Sequence, residues 1–167
     1  MTHMTMTFPQ RYHIQFSFHF DETQRLLALA RTLPEDVYHA TIAYSFASMH
    51  NTFAHLLGAS QLWRNVIADT EPSFLEAEDI AGIDALVALF EIERTGWHDL
   101  IATFDVATLL EPIERQSPQG IMVLTIWQTL QHVILHGLGH HTELARMLTE
   151  AGHSPGDIDF LLYQPSA

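Results

Sequence analysis

The chain has 167 residues, 47% of them apolar, with no cysteine and no lysine, and twenty acidic side chains against seven arginines give a formal charge of −13. That length and composition fit one folded domain with a core of its own and exclude disulfide staples and Schiff-base lysine chemistry. The charge argues against nucleic-acid or anionic-membrane partners, whose binding needs cations on phosphates. With no run near the ~18 apolar residues of a membrane span and no secretory pattern, a cytoplasmic location is expected.

Prolines at positions 9, 34, 72, 112, 118, 155 and 165 mark where helices cannot run, and four long apolar-rich gaps lie between them. In the first, Ile14, Phe16, Phe18 and Phe20 alternate with polar residues as in a strand, yet Leu26, Leu27, Leu29 and Ala30 continue with helical spacing. One helix from about Tyr12 to Thr32 is expected. The second gap carries Phe46, Met49, Phe53, Leu56, Leu57, Leu62, Trp63 and Val66 on one broad helical face, with Ser45 or Ser48 as its cap.

The third gap places Leu86, Leu89, Phe90, Trp97, Leu100, Ile101 and Phe104 at spacings of three, four and seven. The fourth is expected to start near Gly120 and to run to Ala151, where Gly152 and Pro155 supply a stop. Four such helices predict an all-α four-helix bundle with negligible sheet. The connections at Pro34 and Pro72 are expected to be short. The one from about Asp105 to Gly120 is longer, with room for a turn, a short helix or a crossover. The tryptophans Trp63, Trp97 and Trp127 are expected in the core.

The last helix carries His132, His136 and His140 on one stripe, and His55 lies in the second apolar run. Histidines four apart are separated by about 6 Å along a helix axis, so both rings of a pair can reach one ion at about 2.1 Å. His132 and His140 are about 12 Å apart and cannot readily share one. The pair is therefore His132/His136 or His136/His140, with His55 as a third ligand from the facing helix. His141 points roughly 100° away from His140 and is a poor ligand. Gly137 and Gly139 each cost about 1 kcal/mol against alanine inside a helix, which predicts a close approach there, with Gly58 marking the facing contact. The same spacing also suits core histidines bonded to carbonyls or carboxylates, and it does not choose between the two readings.

Two segments, Ser48 to Trp63 (SMHNTFAHLLGASQLW) and His132 to Leu148 (HVILHGLGHHTELARML), resemble the second and fourth helices of the DinB/YfiT-like superfamily. The closing Asp159 to Tyr163 (DFLLY) also fits, and the resemblance spans about Arg25 to Tyr163. It implies a metal-binding bundle holding a divalent ion on His55, His136 and His140, with His132 left one turn away; zinc or nickel is expected, since imidazole donors suit both. The arginine and glutamine that often follow the last ligand in that family are His141 and Glu143 here, and the first-helix pattern differs around His19 and Asp21.

Three imidazoles leave coordination positions open, the arrangement of a catalytic site. The resemblance implies a metal-dependent transferase using a low-molecular-weight thiol as co-substrate against a small electrophile. Metal-assisted hydrolysis and a non-catalytic metal or small-ligand module are the other readings. Glu143 shares the face of His136 and His140 and is the candidate catalytic residue, as base or as partner of a ligand ring. His19 is a candidate for reaching the cavity from the first helix, and His50 is expected to serve another contact. A homodimer is expected from the resemblance and from apolar residues such as Phe8, Tyr12 and Phe74.

Overall fold

The computed structural model describes residues 6–71 and 75–165. Four long helices make the bundle: α1 (Phe8–Ala30), α3 (Met49–Ile67), α4 (Ile83–Ala102) and α5 (Ile126–Glu150). A short helix α2 (Glu35–Tyr38) follows α1, and strands β1 (Pro112–Ser117) and β2 (Gly120–Thr125) precede α5. The long helices pack α1 on α4 and α5, and α3 on α4 and α5. Every long helix therefore has two neighbours around a shared core of Phe16, Phe20, Phe53, Leu57, Phe90, Trp97 and Leu130.

Helix α1 opens on a capping box. The Thr7 hydroxyl accepts from Gln10 N while the Gln10 side chain accepts from Thr7 N, and Pro9 sits where a missing N–H costs nothing. The period-two phenylalanines lie inside this helix because it is covered on more than one side. Phe16 and Phe20 enter the core, and Phe18 meets Phe160 and Tyr163 from the C-terminal segment. That segment is tied to α1 and α4, since Asp21 accepts from both Tyr163 Oη and Arg94 Nη2.

The all-α bundle is as expected, with one small two-stranded sheet among the described residues, and three expectations are corrected. The last helix does not start near Gly120. Residues 112–117 and 120–125 pair antiparallel, Ser117 opposite Gly120 at the turn and Pro112 opposite Thr125 at the base. Pro118 breaks any helix there, Gly120 adopts φ +120°, and the β-branched Ile121, Val123 and Thr125 suit a strand. Helix α5 then starts at Ile126 from its own capping box of Thr125 and Gln128. The links across Pro34 and Pro72 are not short either, the second running from the end of α3 at Ile67 to the start of α4 at Ile83. Residues 31–48 hold α2 and a looped segment, and Phe46 belongs to that loop, because Ser48 caps α3 by accepting from Asn51 N. Finally, Trp97 and Trp63 are buried, but Trp127 is 42% exposed.

A polar network is buried where α3 meets α4. Glu93, only 1% exposed, accepts from Arg64 Nε and Nη2 and from Ser60 Oγ, while Trp97 Nε1 donates to the same serine oxygen. Both carboxylate oxygens are satisfied, as a buried charge requires.

Candidate metal centre

Helices α3 and α5 run side by side with His55 near the middle of one and His136 and His140 on the facing stripe of the other. The Nε2 atoms of His55 and His136 are 3.3 Å apart, and those of His136 and His140 are 3.1 Å apart. One ligand nitrogen from each of the three rings lies within 4.8 Å of the other two, so His55, His136 and His140 can hold a metal ion. Glu143 accepts from His140 Nδ1 at 2.8 Å. A carboxylate oxygen only accepts, so the proton is on Nδ1, and in neutral His140 the Nε2 lone pair faces the cluster.

The electrostatics fit the same donor set. Burial, followed by the neighbouring His140, pushes His55 down to about 4. Burial, then His140, His55 and His132, does the same for His136, also to about 4. Both rings are thus neutral near pH 7, the form that offers a lone pair to a cation. Partial burial would raise the Glu143 carboxyl, but hydrogen bonds from Ser45 and His140 outweigh it and hold it below its ordinary range.

The remaining histidines separate cleanly. His132 lies edge-on to Trp63 at 5.3 Å between ring centres and stays one turn outside the cluster. His50 uses both nitrogens elsewhere: Nε2 donates to the Ala77 carbonyl, which leaves Nδ1 to accept from Tyr38 Oη. His19 does not join the cluster. It is buried against α5 at Gly137, stacked on His141 at 5.0 Å between ring centres.

His19 also explains one of the two helical glycines. A Cβ placed on Gly137 would stand 2.3 Å from His19 Cε1, so the close approach is made by a side chain of α1. Gly139 has nothing within 4 Å of such a Cβ, and the expectation of a close contact there is corrected. His141 in turn donates from Nε2 to Thr23 Oγ1, whose own proton goes to the His19 carbonyl.

Two residues at the cluster carry no sequence signal for it. Phe46 lies flat against His55, ring centres 3.7 Å apart and planes 16° from parallel, and is T-shaped to His140 with ring centres 5.5 Å apart. Ser45 Oγ donates to Glu143 Oε2 at 2.6 Å, on the same oxygen that receives His140 Nδ1. Both were legible only as candidate cap and helical-face residues of α3, because a loop has no period to read.

The profile of the DinB family matches residues 10–167. The protein named Protein DinB from Bacillus subtilis (strain 168) is 25% identical over 152 residues, covering 84% of this chain and 86% of that one.

Proposed function

The chain belongs to the DinB family, and from that premise we propose that it is a divalent-metal protein whose ion, zinc or nickel, is held by His55, His136 and His140 and supports transfer of a small thiol onto an electrophile. The observation that carries the metal reading is the convergence of three ligand nitrogens within 4.8 Å. Imidazole donors suit both metals.

A divalent ion in such a site supplies a Lewis acid that stabilises an anion, thiolate or hydroxide, near neutral pH. The protein's own residues do the rest. His55 and His136 stay neutral near pH 7 because burial, then the neighbouring His140, lowers both. Glu143 is bonded to the outer nitrogen of His140, so we assign it the role of a positioning residue rather than a fourth ligand that closes the sphere. The 167 residues contain no cysteine, so the thiol comes from solution.

The strongly acidic chain favours a reaction independent of DNA or RNA. Among the described residues no helix is long and apolar enough to cross a membrane. A homodimer is part of the same proposal. Phe8, Leu110 and Trp127 are exposed around a cavity of about 270 Å³ that Tyr12, Val106 and Leu109 also line, and an apolar patch of this kind suits a subunit contact. Tyr12 itself is buried, with its hydroxyl on the Trp127 carbonyl, and Phe74 lies outside the described residues.

The test is metal content by mass spectrometry together with turnover across panels of thiols and electrophiles, before and after chelation. One ion per chain and a thiol-dependent activity that chelation abolishes are expected. Full activity after chelation would overturn the metal mechanism. A metal-loaded protein inert with every thiol would point instead to hydrolysis or to a binding module. Light scattering giving a monomer mass across micromolar concentrations would overturn the dimer.

A further inference from the structure

The turn between α2 and α3 has an unusual backbone. Ser45 and Ala47 adopt φ +51° and +66°, a left-handed region that side chains with a Cβ disfavour, and neither residue is glycine. Such conformations persist only where surrounding contacts over-determine them, and they concentrate at functional sites. The contacts here are specific. Ala47 N donates to the Tyr44 carbonyl, and Ile42 N donates to the Ala47 carbonyl, which closes the turn. Tyr44 Oη donates to Glu150 Oε2, and the Arg146 guanidinium lies 4.1 Å from the centre of the Tyr44 ring, so the turn is pinned to the last turns of α5.

Between those anchors, successive side chains reach the metal centre. Ser45 Oγ donates to Glu143 Oε2, which also accepts from His140 Nδ1. Phe46 covers the face of His55 at 3.7 Å. Ser45 thus acts on one outer ligand of the cluster and Phe46 on the other, while His136 lies between them in the chain of Nε2 contacts.

We propose that the Tyr44–Ala47 turn sets the two outer ligand imidazoles before an ion arrives: Ser45, through Glu143, fixes the Nδ1–H tautomer of His140, and Phe46 fixes the ring plane of His55. This rests on the metal-centre reading above. The chemistry follows from the inventory of donors. A serine hydroxyl brings one proton, and giving it to Glu143 Oε2 holds that oxygen where it accepts from Nδ1 rather than turning to solvent. With the proton kept on Nδ1, the Nε2 lone pair faces the cluster, as a ligand requires. A flat aromatic neighbour at van der Waals distance removes the rotational freedom of His55, and a donor already in place loses less on binding. Ser45 and Phe46 are positioning residues, since neither offers an atom to the ion.

The test compares the wild type with Ser45→Ala, Phe46→Ala and Ala47→Gly. Long-range 15N–1H spectra of the imidazoles are read in the metal-free protein, and zinc affinity is read by calorimetry. In Ser45→Ala, His140 should shift from the Nδ1–H tautomer toward a mixture, and zinc affinity should fall about tenfold, the low end of the effect of removing a partner of a ligand ring. Phe46→Ala should weaken zinc to a similar degree while leaving the His140 tautomer unchanged. Ala47→Gly relieves the same turn without touching either ring and should bind zinc as the wild type does.

A wild-type tautomer and affinity in Ser45→Ala would overturn the role of Ser45, and wild-type affinity in Phe46→Ala that of Phe46. An Ala47→Gly protein weakened as much as the other two would show that the backbone of the turn, not its side chains, is responsible, and would overturn both. A wild type that takes up no zinc or nickel overturns the metal-centre reading instead, while the metal-free spectra still decide whether Ser45 governs His140.

Discussion

His140 and His141 are neighbours in sequence and end in opposite environments on α5. His140 turns towards α3, where its Nε2 meets that of His136 and its Nδ1 meets Glu143. His141 turns towards α1, where it is 1% exposed, stacked on His19 and bonded to Thr23. The α3 side gathers nitrogens nose to nose, partly open to solvent, in an arrangement that only a shared proton or a cation satisfies. The α1 side lays rings face to face, fully enclosed, and leaves both nitrogens of His19 and Nδ1 of His141 without a hydrogen-bond partner. One residue type thus builds a candidate ligand set or packs in the core, depending on whether ring edges or ring faces meet.

The largest expected effect breaks the α3 side. His136→Ala should lower bound metal to a small fraction of the wild-type stoichiometry, because His136 is the middle member of the cluster. Mass spectrometry of the purified variant checks this, and full occupancy would show that the cluster is not the site. Next comes the α1 side. Gly137→Ala would drive a methyl to 2.3 Å from His19 Cε1, and that ring is fully enclosed. Overpacking of this kind costs about 1–3 kcal/mol, to be read as a lower midpoint in denaturant unfolding with an unchanged slope.

Acid sharpens the comparison between the two sides. Burial, then His136 and Arg94, lowers His19 to about 3, whereas His55 lies at about 4. Below the ordinary histidine value of 6.5 the unfolded chain takes up protons that these folded rings refuse, so the metal-free protein should lose stability as the pH falls. The contribution is intact above 6.5. The His55 share should be spent by about pH 4, and the His19 share should continue down to about pH 3. Unfolding free energies measured against pH in wild type and His55→Ala separate them: the variant should have a shallower slope between 6.5 and 4 and keep the remainder. Equal slopes would place the proton linkage elsewhere.

The smallest effects come from positions that spacing places beside the site and packing does not. His132→Ala should leave metal stoichiometry at the wild-type level, since His132 packs on Trp63 one turn away. Gly139→Ala should stabilise by up to about 1 kcal/mol, the difference in helix propensity, because its Cβ meets nothing within 4 Å. A loss of stability on melting would reveal a contact at Gly139 that the fold does not show.

Much of the bundle was legible because helices print their period and their ends. Ser48 as a cap, Gly152 at φ +86° as a stop and the apolar faces of α3 and α4 are local properties of the chain. The alternating phenylalanines of α1 carry a strand's period, yet the segment is the expected helix, and Phe18 is covered by the C-terminal segment from a direction that no local pattern records. The hairpin was missed for a related reason. Ile121, Met122, Val123 and Leu124 form a continuous apolar run that joins α5 without a gap, and only pairing with residues 112–117 distinguishes a strand from a first helical turn.

The sequence by itself determined the spacing of His136 and His140 on one face, the acidic composition and the four helices, because helical geometry and charge depend on nearby residues alone. Only the tertiary structure decided that His19 fills the notch at Gly137, that His140 is oriented by Glu143 and that Ser45 and Phe46 close over the cluster. Those contacts join residues dozens of positions apart, and the angle and depth at which helices dock are set by the packing of the whole core rather than by any period in the chain.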